Sequence, residues 1–333
     1  MIEGTYRALV VREDNGKFTK AVEQVPFDFL PENEVLIKVA YAALNYKDAL
    51  SAKGHKGVSR HFPHTPGVDA SGIVESSHHP DFKTGDAVLV TSYDLGMHTK
   101  GGFAEYICVP AAWVIPLPEG LTLQESMIIG TGGFTAALAL QKMETNGQHP
   151  DSGDIVVTGA SGGVGSMAVA ILKKAGYNVI ASSGKLEHYP WLQQIGAKRC
   201  INREELIDPS EKPLLAHKWA GAIDTVGGKT LANLLKACAR NGNVAACGLV
   251  GSSDLSTTVY PFILNGVNLL GIESAETPRS LRLEVWKALA GRLKPANLDN
   301  MATIVPLEKI PGYIDDILAG ETAGRILADL SLH

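Results

Sequence analysis

The 333-residue chain contains no apolar run approaching the ~18–20 residues that a bilayer span requires. It has no basic surplus either: 30 Lys and Arg stand against 35 Asp and Glu. That balance gives nucleic acid or an anionic membrane no electrostatic footing. Cysteine is scarce, and Cys108, Cys200, Cys238 and Cys247 form no C-x-x-C pair. Their spacing speaks against both a zinc site and a disulfide framework, and for four reduced thiols, mostly buried as small apolar groups. The first residues, Met1-Ile-Glu-Gly-Thr-Tyr-Arg7, lack the charged-then-apolar order of a signal segment, so a cytoplasmic location is expected. No internal repeat and no low-complexity tract is visible. What remains is a chain of globular composition, long enough for two domains.

One stretch organises the rest. Asp154-Ile-Val-Val-Thr-Gly-Ala-Ser-Gly-Gly-Val-Gly-Ser166 and the apolar residues up to Leu172 read as strand, glycine turn and helix. Ile155, Val156 and Val157 form the short apolar run of a central parallel strand. Gly159, Gly162, Gly163 and Gly165 strip the following turn of Cβ atoms, so backbone amides can approach a ligand. A helix from about Val164 to Ala175 then points its positive end at that turn, as a dinucleotide pyrophosphate requires. Ser161 stands where the strict G-x-G-x-x-G fingerprint has its middle glycine, which weakens the motif taken alone. The context restores it: Gly176 ends the helix and Tyr177 to Ser182 supplies a second strand, closing a βαβ unit.

Around this unit the pattern changes twice. Before about residue 125, short β-rich runs (Tyr6 to Val11, Glu34 to Ala42, Ser71 to Ser76, Ala87 to Thr91, Ala104 to Val109) alternate with turn residues. These predict a compact barrel or sandwich, interrupted by a helical patch at Tyr46 to Ala52. From Ser126 to Met143 the spacing is helical, broken by Gly130-Thr-Gly132-Gly133. After the βαβ unit come a helix at Glu187 to Ile195, strands at Arg199 to Asn202, Gly221 to Val226, Asn243 to Cys247 and Asn268 to Ile272, and a helix at Lys229 to Ala239. Strands alternating with helices predict a doubly wound parallel sheet. Beyond residue 273, helices at Ser280 to Leu293 and Ile310 to Ala319 flank a strand at Ala302 to Val305, with a last strand at Arg325 to Leu330. These elements predict a return to the first domain. The expected division is therefore 1–125, 126–272 and 273–333, in an α/β protein.

The nucleotide can be narrowed. NAD-binding units carry an acid at the end of the second strand for the ribose hydroxyls. Here that position reads Ala181-Ser-Ser-Gly-Lys185. Hydroxyls and an ammonium would hold a 2′-phosphate that a carboxylate would repel, and Arg203 could close over it with its fork of donors. The residues favour NADPH, although Lys185 and Arg203 would elsewhere be read as solvated surface groups.

These features resemble the zinc-independent quinone oxidoreductase branch of the medium-chain dehydrogenases/reductases, and within it the YhdH/YhfP type, the acrylyl-CoA reductases. The motifs that carry the resemblance are Leu44-Asn-Tyr-Lys-Asp-Ala-Leu50, Pro66-Gly-Val-Asp-Ala-Ser-Gly72 and Ile129-Gly-Thr-Gly-Gly-Phe-Thr-Ala136. Thr158 to Ser166, Trp219 to Gly227, Val244 to Leu249 and Pro261-Phe-Ile-Leu264 complete the set in order along most of the chain. The resemblance implies a GroES-like β-barrel domain plus a Rossmann sheet. It also implies no metal, because Asn45 stands where zinc alcohol dehydrogenases of the superfamily carry Cys, and Gly67-Val68-Asp69 where they carry Gly-His-Glu. His61 and His64 have no partner at ligand spacing and read as loop histidines.

Carried over by motif, Tyr46 lies near the nicotinamide, Ser161, Gly162, Gly163 and Val164 at the pyrophosphate, and Ser183, Gly184, Lys185 and Arg203 around the 2′-phosphate. Leu249, Ile263 and Ser274 line the nicotinamide side; from residues alone, core packing for Leu249 and Ile263 and a strand-end hydroxyl for Ser274 serve equally. Without a Lewis acid, reduction of a double bond conjugated to a carbonyl fits better than alcohol–ketone interconversion. Tyr46 ranks first as the group that donates to the developing oxyanion or orients the nicotinamide. Asn45, Lys47 and Asp69 stand nearby in sequence or motif, with Asp69 equally readable as a brace of the barrel. The expected substrate is an enoyl-CoA, acrylyl-CoA first; a quinone is the alternative within the class, and NADPH binding without turnover the alternative outside it. Lys53, Lys56, Arg60 and Lys100 either meet CoA phosphates or are merely solvated. Asn268 to Ile272, apolar and at the sheet edge, is the expected seam of a homodimer.

Overall fold

The computed structural model describes residues 4–210 and 212–332, so Met1–Glu3 of the N-terminal segment read above lie outside the described residues. Asn15 and Gly16 both take positive φ, 50° and 78°, the backbone of a two-residue hairpin turn matched to strand twist. The turn joins β1 (Thr5–Asp14) to β2 (Lys17–Pro26) in unbroken antiparallel register. β2 is absent from the sequence reading for a physical reason: Val25 is its one buried residue, so no apolar period marks it.

Then follow β3 (Val35–Leu44), α1 (Tyr46–Ala52), β4 (Asp69–Ser77), β5 (Ala87–Thr91), β6 (Tyr106–Val109) and β7 (Ile115–Pro116). Pro116 sits in a two-residue edge strand paired with β5, where a missing N–H costs no ladder bond. Next are α2 (Leu123–Thr145), β8 (Ile155–Val157), α3 (Gly163–Lys174), β9 (Val179–Ser182), α4 (Tyr189–Gln194) and β10 (Arg199–Ile201). β11 (Trp219–Asp224), α5 (Gly228–Ala237), β12 (Cys238–Ala246), α6 (Tyr260–Asn265) and β13 (Asn268–Gly271) follow. The chain ends with α7 (Arg279–Ala290), β14 (Ala302–Pro306), α8 (Ile310–Ala319) and β15 (Arg325–Asp329).

The described residues fall into two units. One holds those up to Thr131, Ala275–Glu284 and those from Leu298 onward; the other holds Gly132–Ser274 and Val285–Asn297. The first unit contains the β1–β2 hairpin and a sheet of order β14-β15-β3-β4-β5-β7, with β6 also paired to β3. Its core joins Leu9, Ile37 and Phe103 from the N-terminal part to Leu307, Ile310, Ile314 and Ile326 from the C-terminal part. Burying those apolar residues draws the end of the chain back into the first unit.

The second unit is a six-stranded parallel sheet of order β10-β9-β8-β11-β12-β13. β8, its second-half neighbour β11 and the strands beside them reproduce the doubly wound order, with the switch point between β8 and β11. Ligands of such sheets bind outside the carboxyl ends of the strands at that switch point. β13 forms one edge, with Leu269 and Gly271 exposed. Among the described residues no helix is long and apolar enough to cross a membrane.

Candidate functional site

In the second unit the geometry begins at the end of β8. Gly159 takes a φ of 56°, and a Cβ there would fall 2.3 Å from Thr225 Oγ1. Gly165 lets the first turn of α3 settle on the same loop, since a Cβ there would lie 2.2 Å from the Gly159 carbonyl oxygen. Gly162 is the N-cap of α3. The amides of Gly163, Val164 and Gly165 are first-turn donors with no carbonyl partner within their helix, and the helix is long enough to add its positive end. Residues Ser161 to Val164 thus form a cradle suited to a pyrophosphate, and the residues present fit a dinucleotide.

The end of β9 adds a second set. Ser161 Oγ and Ser183 Oγ are 3.1 Å apart and buried. Ser183 Oγ also accepts from Lys185 N at 3.1 Å, and Tyr189 Oη donates to the Ser183 carbonyl at 3.1 Å. Arg203 lies across Gly184: a Cβ on Gly184 would be 3.0 Å from Arg203 Nε. The structure therefore brings Ser161, Ser183, Gly184, Lys185 and Arg203 together around one strand end that bears no carboxylate.

Asp224, to which the sequence reading gave no role, fastens the loop floor. Thr158 Oγ1 donates to its Oδ1 at 2.6 Å and Gly227 N to its Oδ2 at 2.7 Å; burial raises its carboxyl pKa against those bonds. Leu249 and Ile263 are 62 % and 68 % exposed, so neither is a core residue. Ile263 lies on α6, a helix the sequence reading did not place, in an exposed apolar patch with Val259 and Leu264. Ser274 Oγ accepts from Thr135 Oγ1 at 2.9 Å.

In the first unit, Tyr46 is the first residue of α1 and is 40 % exposed. The residue before it, Asn45, is held from three sides. Its backbone N–H donates to Asp48 Oδ2 at 2.7 Å, its Nδ2 to Asp69 Oδ2 at 2.8 Å, and its Oδ1 accepts from Arg325 Nη1 at 3.1 Å. Asp69 and Arg325 form an ion pair at 3.4 Å with side chains 0 % and 2 % exposed. The pair reaches into α2. Gly130 is non-helical (φ 49°, ψ −160°), and a Cβ there would be 2.6 Å from both Asp69 Oδ2 and Arg325 Nη2. The ends of the broken helix are satisfied by the same two side chains: Arg325 Nε donates to the Ile128 carbonyl at 3.1 Å, and Thr131 N and Oγ1 donate to Asp69. Asp69 is thus a brace, the second of the two readings given to it.

Asp48 lies three residues after Asn45 in the same motif. Its Oδ1 accepts from Gly67 N and Val68 N at 3.0 and 2.8 Å. Burial pushes its carboxyl up to about 7, opposed by those backbone donors and reinforced by Asp69. Burial likewise lowers the Arg325 pKa, against the pull of Asp69 and Asp48. His64 is a buried loop histidine with Nε2 2.9 Å from the Gly96 carbonyl oxygen. Burial pushes its imidazole down to about 4.

Comparison with known proteins places this geometry. Residues 31–119 match the alcohol dehydrogenase GroES-like domain, and residues 163–290 match the family described as zinc-binding dehydrogenase. YhfP of Bacillus subtilis, whose name puts it with the quinone oxidoreductases, is 44 % identical over 98 % of this chain and 99 % of its own. The structure of YhfP with NAD bound superposes with a TM-score of 0.96, covering 98 % of this chain and all of that one. The acrylyl-CoA reductase AcuI of Ruegeria pomeroyi is 42 % identical over 98 % of this chain and 99 % of its own. The yhdH oxidoreductase of Salmonella enterica, solved with NADP, has a TM-score of 0.94 at 42 % identity, covering 98 % of this chain and 100 % of that one.

The zinc in the second family's description finds no fitting donor set. Asn45 and Asp69 spend their polar atoms on each other and on Arg325, and Val68 offers none. Among the described residues no three His, Cys, Asp or Glu side chains gather to hold a metal.

The buried carboxyl carries a testable pH dependence. A group whose folded pKa lies above its ordinary value near 3.8 favours the folded state most when protonated. Its contribution to stability is present below pH ~4, declines as pH rises toward 7, and levels off above. Denaturant unfolding from pH 4 to 8 is expected to show Asp48→Asn flattening that decline, by up to ~1.4 kcal/mol per pH unit. Equal slopes in the two proteins would contradict the assignment.

Proposed function

Because the chain belongs to the medium-chain dehydrogenase/reductase superfamily, in the group of YhfP, AcuI and YhdH, we propose that it is an NADPH-dependent reductase of double bonds conjugated to a carbonyl, converting acrylyl-CoA to propionyl-CoA. The observation that carries this reading is the fate of Asn45 and Asp69. Asn45 stands where zinc alcohol dehydrogenases carry Cys and Asp69 closes the stretch where they carry Gly-His-Glu, and here both are bound into a brace with Arg325. A site with no Lewis acid to polarise a lone carbonyl suits a substrate whose conjugation already activates the carbon attacked. AcuI, alike over nearly the whole length of both chains, is named for that reaction.

The bound dinucleotide supplies a hydride for the β-carbon of the alkene. The residues of this chain bind, orient and protonate. Ser161, Gly162, Gly163 and Val164 hold the pyrophosphate through the turn and the start of α3. Ser183, Gly184, Lys185 and Arg203 hold the 2′-phosphate, with Gly184 leaving room for the guanidinium. Leu249, Ile263 and Ser274 flank the nicotinamide, a role that accounts for apolar side chains left exposed. Tyr46, fixed by the Asn45 anchor beneath it, donates to the thioester oxygen as negative charge collects there. The exposed edge at β13 supports a homodimer formed by strand pairing across two copies.

NADPH oxidation followed with acrylyl-CoA, crotonyl-CoA and a simple quinone tests the activity. Turnover with the thioesters is expected, and Tyr46→Phe is expected to lower it ~10²-fold at unchanged NADPH affinity. Turnover confined to the quinone would favour the reading attached to YhfP's name, and turnover with none would leave a dinucleotide-binding protein. The cofactor choice has its own test, made pointed by a relative solved with NAD. Lys185→Ala and Arg203→Ala are each expected to weaken NADPH by a factor of about 10 to 100 and leave NADH unchanged, as loss of one charge-assisted phosphate contact of ~1.5–3 kcal/mol implies. Equal effects on both dinucleotides would contradict the 2′-phosphate assignment.

A further inference from the structure

From Ala49 to Val68 the chain carries Lys53, Lys56 and Arg60 and no Asp or Glu, although acids outnumber bases in the protein as a whole. This segment comprises most of α1 and the loop that leaves it, so it runs directly from the helix that Tyr46 begins. The structure sorts its cations. Lys56 and Arg60 line one groove of about 420 Å³ together with Phe18 and Phe62. Lys100 lines a separate recess, and its ammonium is already engaged, 2.5 Å from the Pro63 carbonyl oxygen and 3.8 Å from the centre of the Phe29 ring. Lys53 lines neither.

The groove is built, not incidental. The rings of Phe18 and Phe62 meet edge to face at 5.0 Å, with a 63° angle between their planes. Gly54, at φ 75°, lets Phe18 lie against the backbone, since a Cβ there would fall 2.1 Å from the ring. Arg60 Nε donates to the Lys56 carbonyl at 3.1 Å, which ties the guanidinium to the loop that bears the second cation. One carboxylate, Glu13, also lines the groove. Aromatic rings beside two cations match a purine joined to phosphates: every base has a face to stack, and an arginine fork grips phosphate oxygens. The volume lies within the range of small-molecule sites, ~300–1,000 Å³. From Tyr46 to Ala52 the helix rises ~9 Å at 1.5 Å per residue, a gap that an extended pantetheine arm can bridge.

We propose that the groove between Phe18, Phe62, Lys56 and Arg60 is the subsite for the adenosine bisphosphate tail of a coenzyme A thioester. The proposal rests on the acyl-CoA reading above and adds the residues that select a CoA ester over a short enoyl compound. Its test compares acrylyl-CoA with acrylyl-pantetheine, which lacks the nucleotide, at saturating NADPH. Lys56→Ala/Arg60→Ala is expected to raise KM for acrylyl-CoA at least tenfold with kcat within twofold, and to leave KM for acrylyl-pantetheine and for NADPH unchanged. Calorimetric titration of the NADP⁺-loaded protein with adenosine 3′,5′-bisphosphate is expected to show binding that the double variant weakens at least tenfold. Equal KM changes for the two thioesters, or none, would overturn the subsite while acyl-thioester reduction stands. Bisphosphate binding lost in the variant, with neither thioester reduced by the wild type, would keep the subsite and overturn the reaction. Absence of both binding and thioester turnover would overturn both.

Discussion

The buried pair of Asp69 and Arg325 is the interaction on which the first unit depends. It joins residues 256 positions apart, from the start of β4 and the start of β15, and so closes the C-terminal return of the chain onto the N-terminal sheet. It also sets the shape of α2, because the helix must break at Gly130 to let the two side chains pass, and the freed backbone groups of Ile128 and Thr131 are then bound by them. Burying two charges costs several kcal/mol each before pairing. The cost is offset here by polar partners on every side: Asn45, Thr131 and two backbone carbonyls. Removing one partner of such a pair typically destabilises by ~3–5 kcal/mol, because the other charge is left buried.

The same pair links architecture to chemistry. Asn45 bridges it to Asp48, and the backbone that emerges from this bridge is Tyr46. Where the resemblance puts a cysteine of zinc alcohol dehydrogenases, Asn45 is a structural amide, and the side chain after it is left 40 % exposed. In the second unit, glycine plays the corresponding part by absence of side chains. Gly159 and Gly165 let loop and helix close on each other, and Gly184 lets Arg203 cross the strand end. Both halves of the proposed reaction thus rest on backbone that approaches more closely than any Cβ would allow.

Much of this was legible in the sequence. The βαβ unit, the parallel sheet, α1 and α8 all follow from periodicity and turn residues, because each is a local pattern of apolar spacing. β2 was not legible, since a hairpin strand that buries little has no apolar rhythm, though Asn15-Gly16 is the turn chemistry that marks it. α6 was hidden because it is short and its apolar residues point both ways, Phe262 onto the core and Ile263 and Leu264 outward. The Asp69–Arg325 pair and the buried Asp48 were beyond reach, as no local rule connects residues that meet only after the sheet has formed. Ser161, Ser183, Gly184, Lys185 and Arg203 were readable as a group because they follow the carboxyl ends of three adjacent parallel strands, β8, β9 and β10. The four cations offered for CoA phosphates could be separated only by the fold, which leaves Lys56 and Arg60 together and Lys100 elsewhere.

The central claim, reduction of a conjugated thioester by hydride from NADPH, is tested most directly by isotope placement. The protein would be given acrylyl-CoA with NADPH deuterated at the transferred position of the nicotinamide, and the product analysed by mass spectrometry and NMR. The account predicts propionyl-CoA carrying one deuterium on the β-carbon, with the α-carbon proton drawn from solvent. Unlabelled product, label on the α-carbon, or recovery of unchanged acrylyl-CoA while a quinone consumes the cofactor would contradict it.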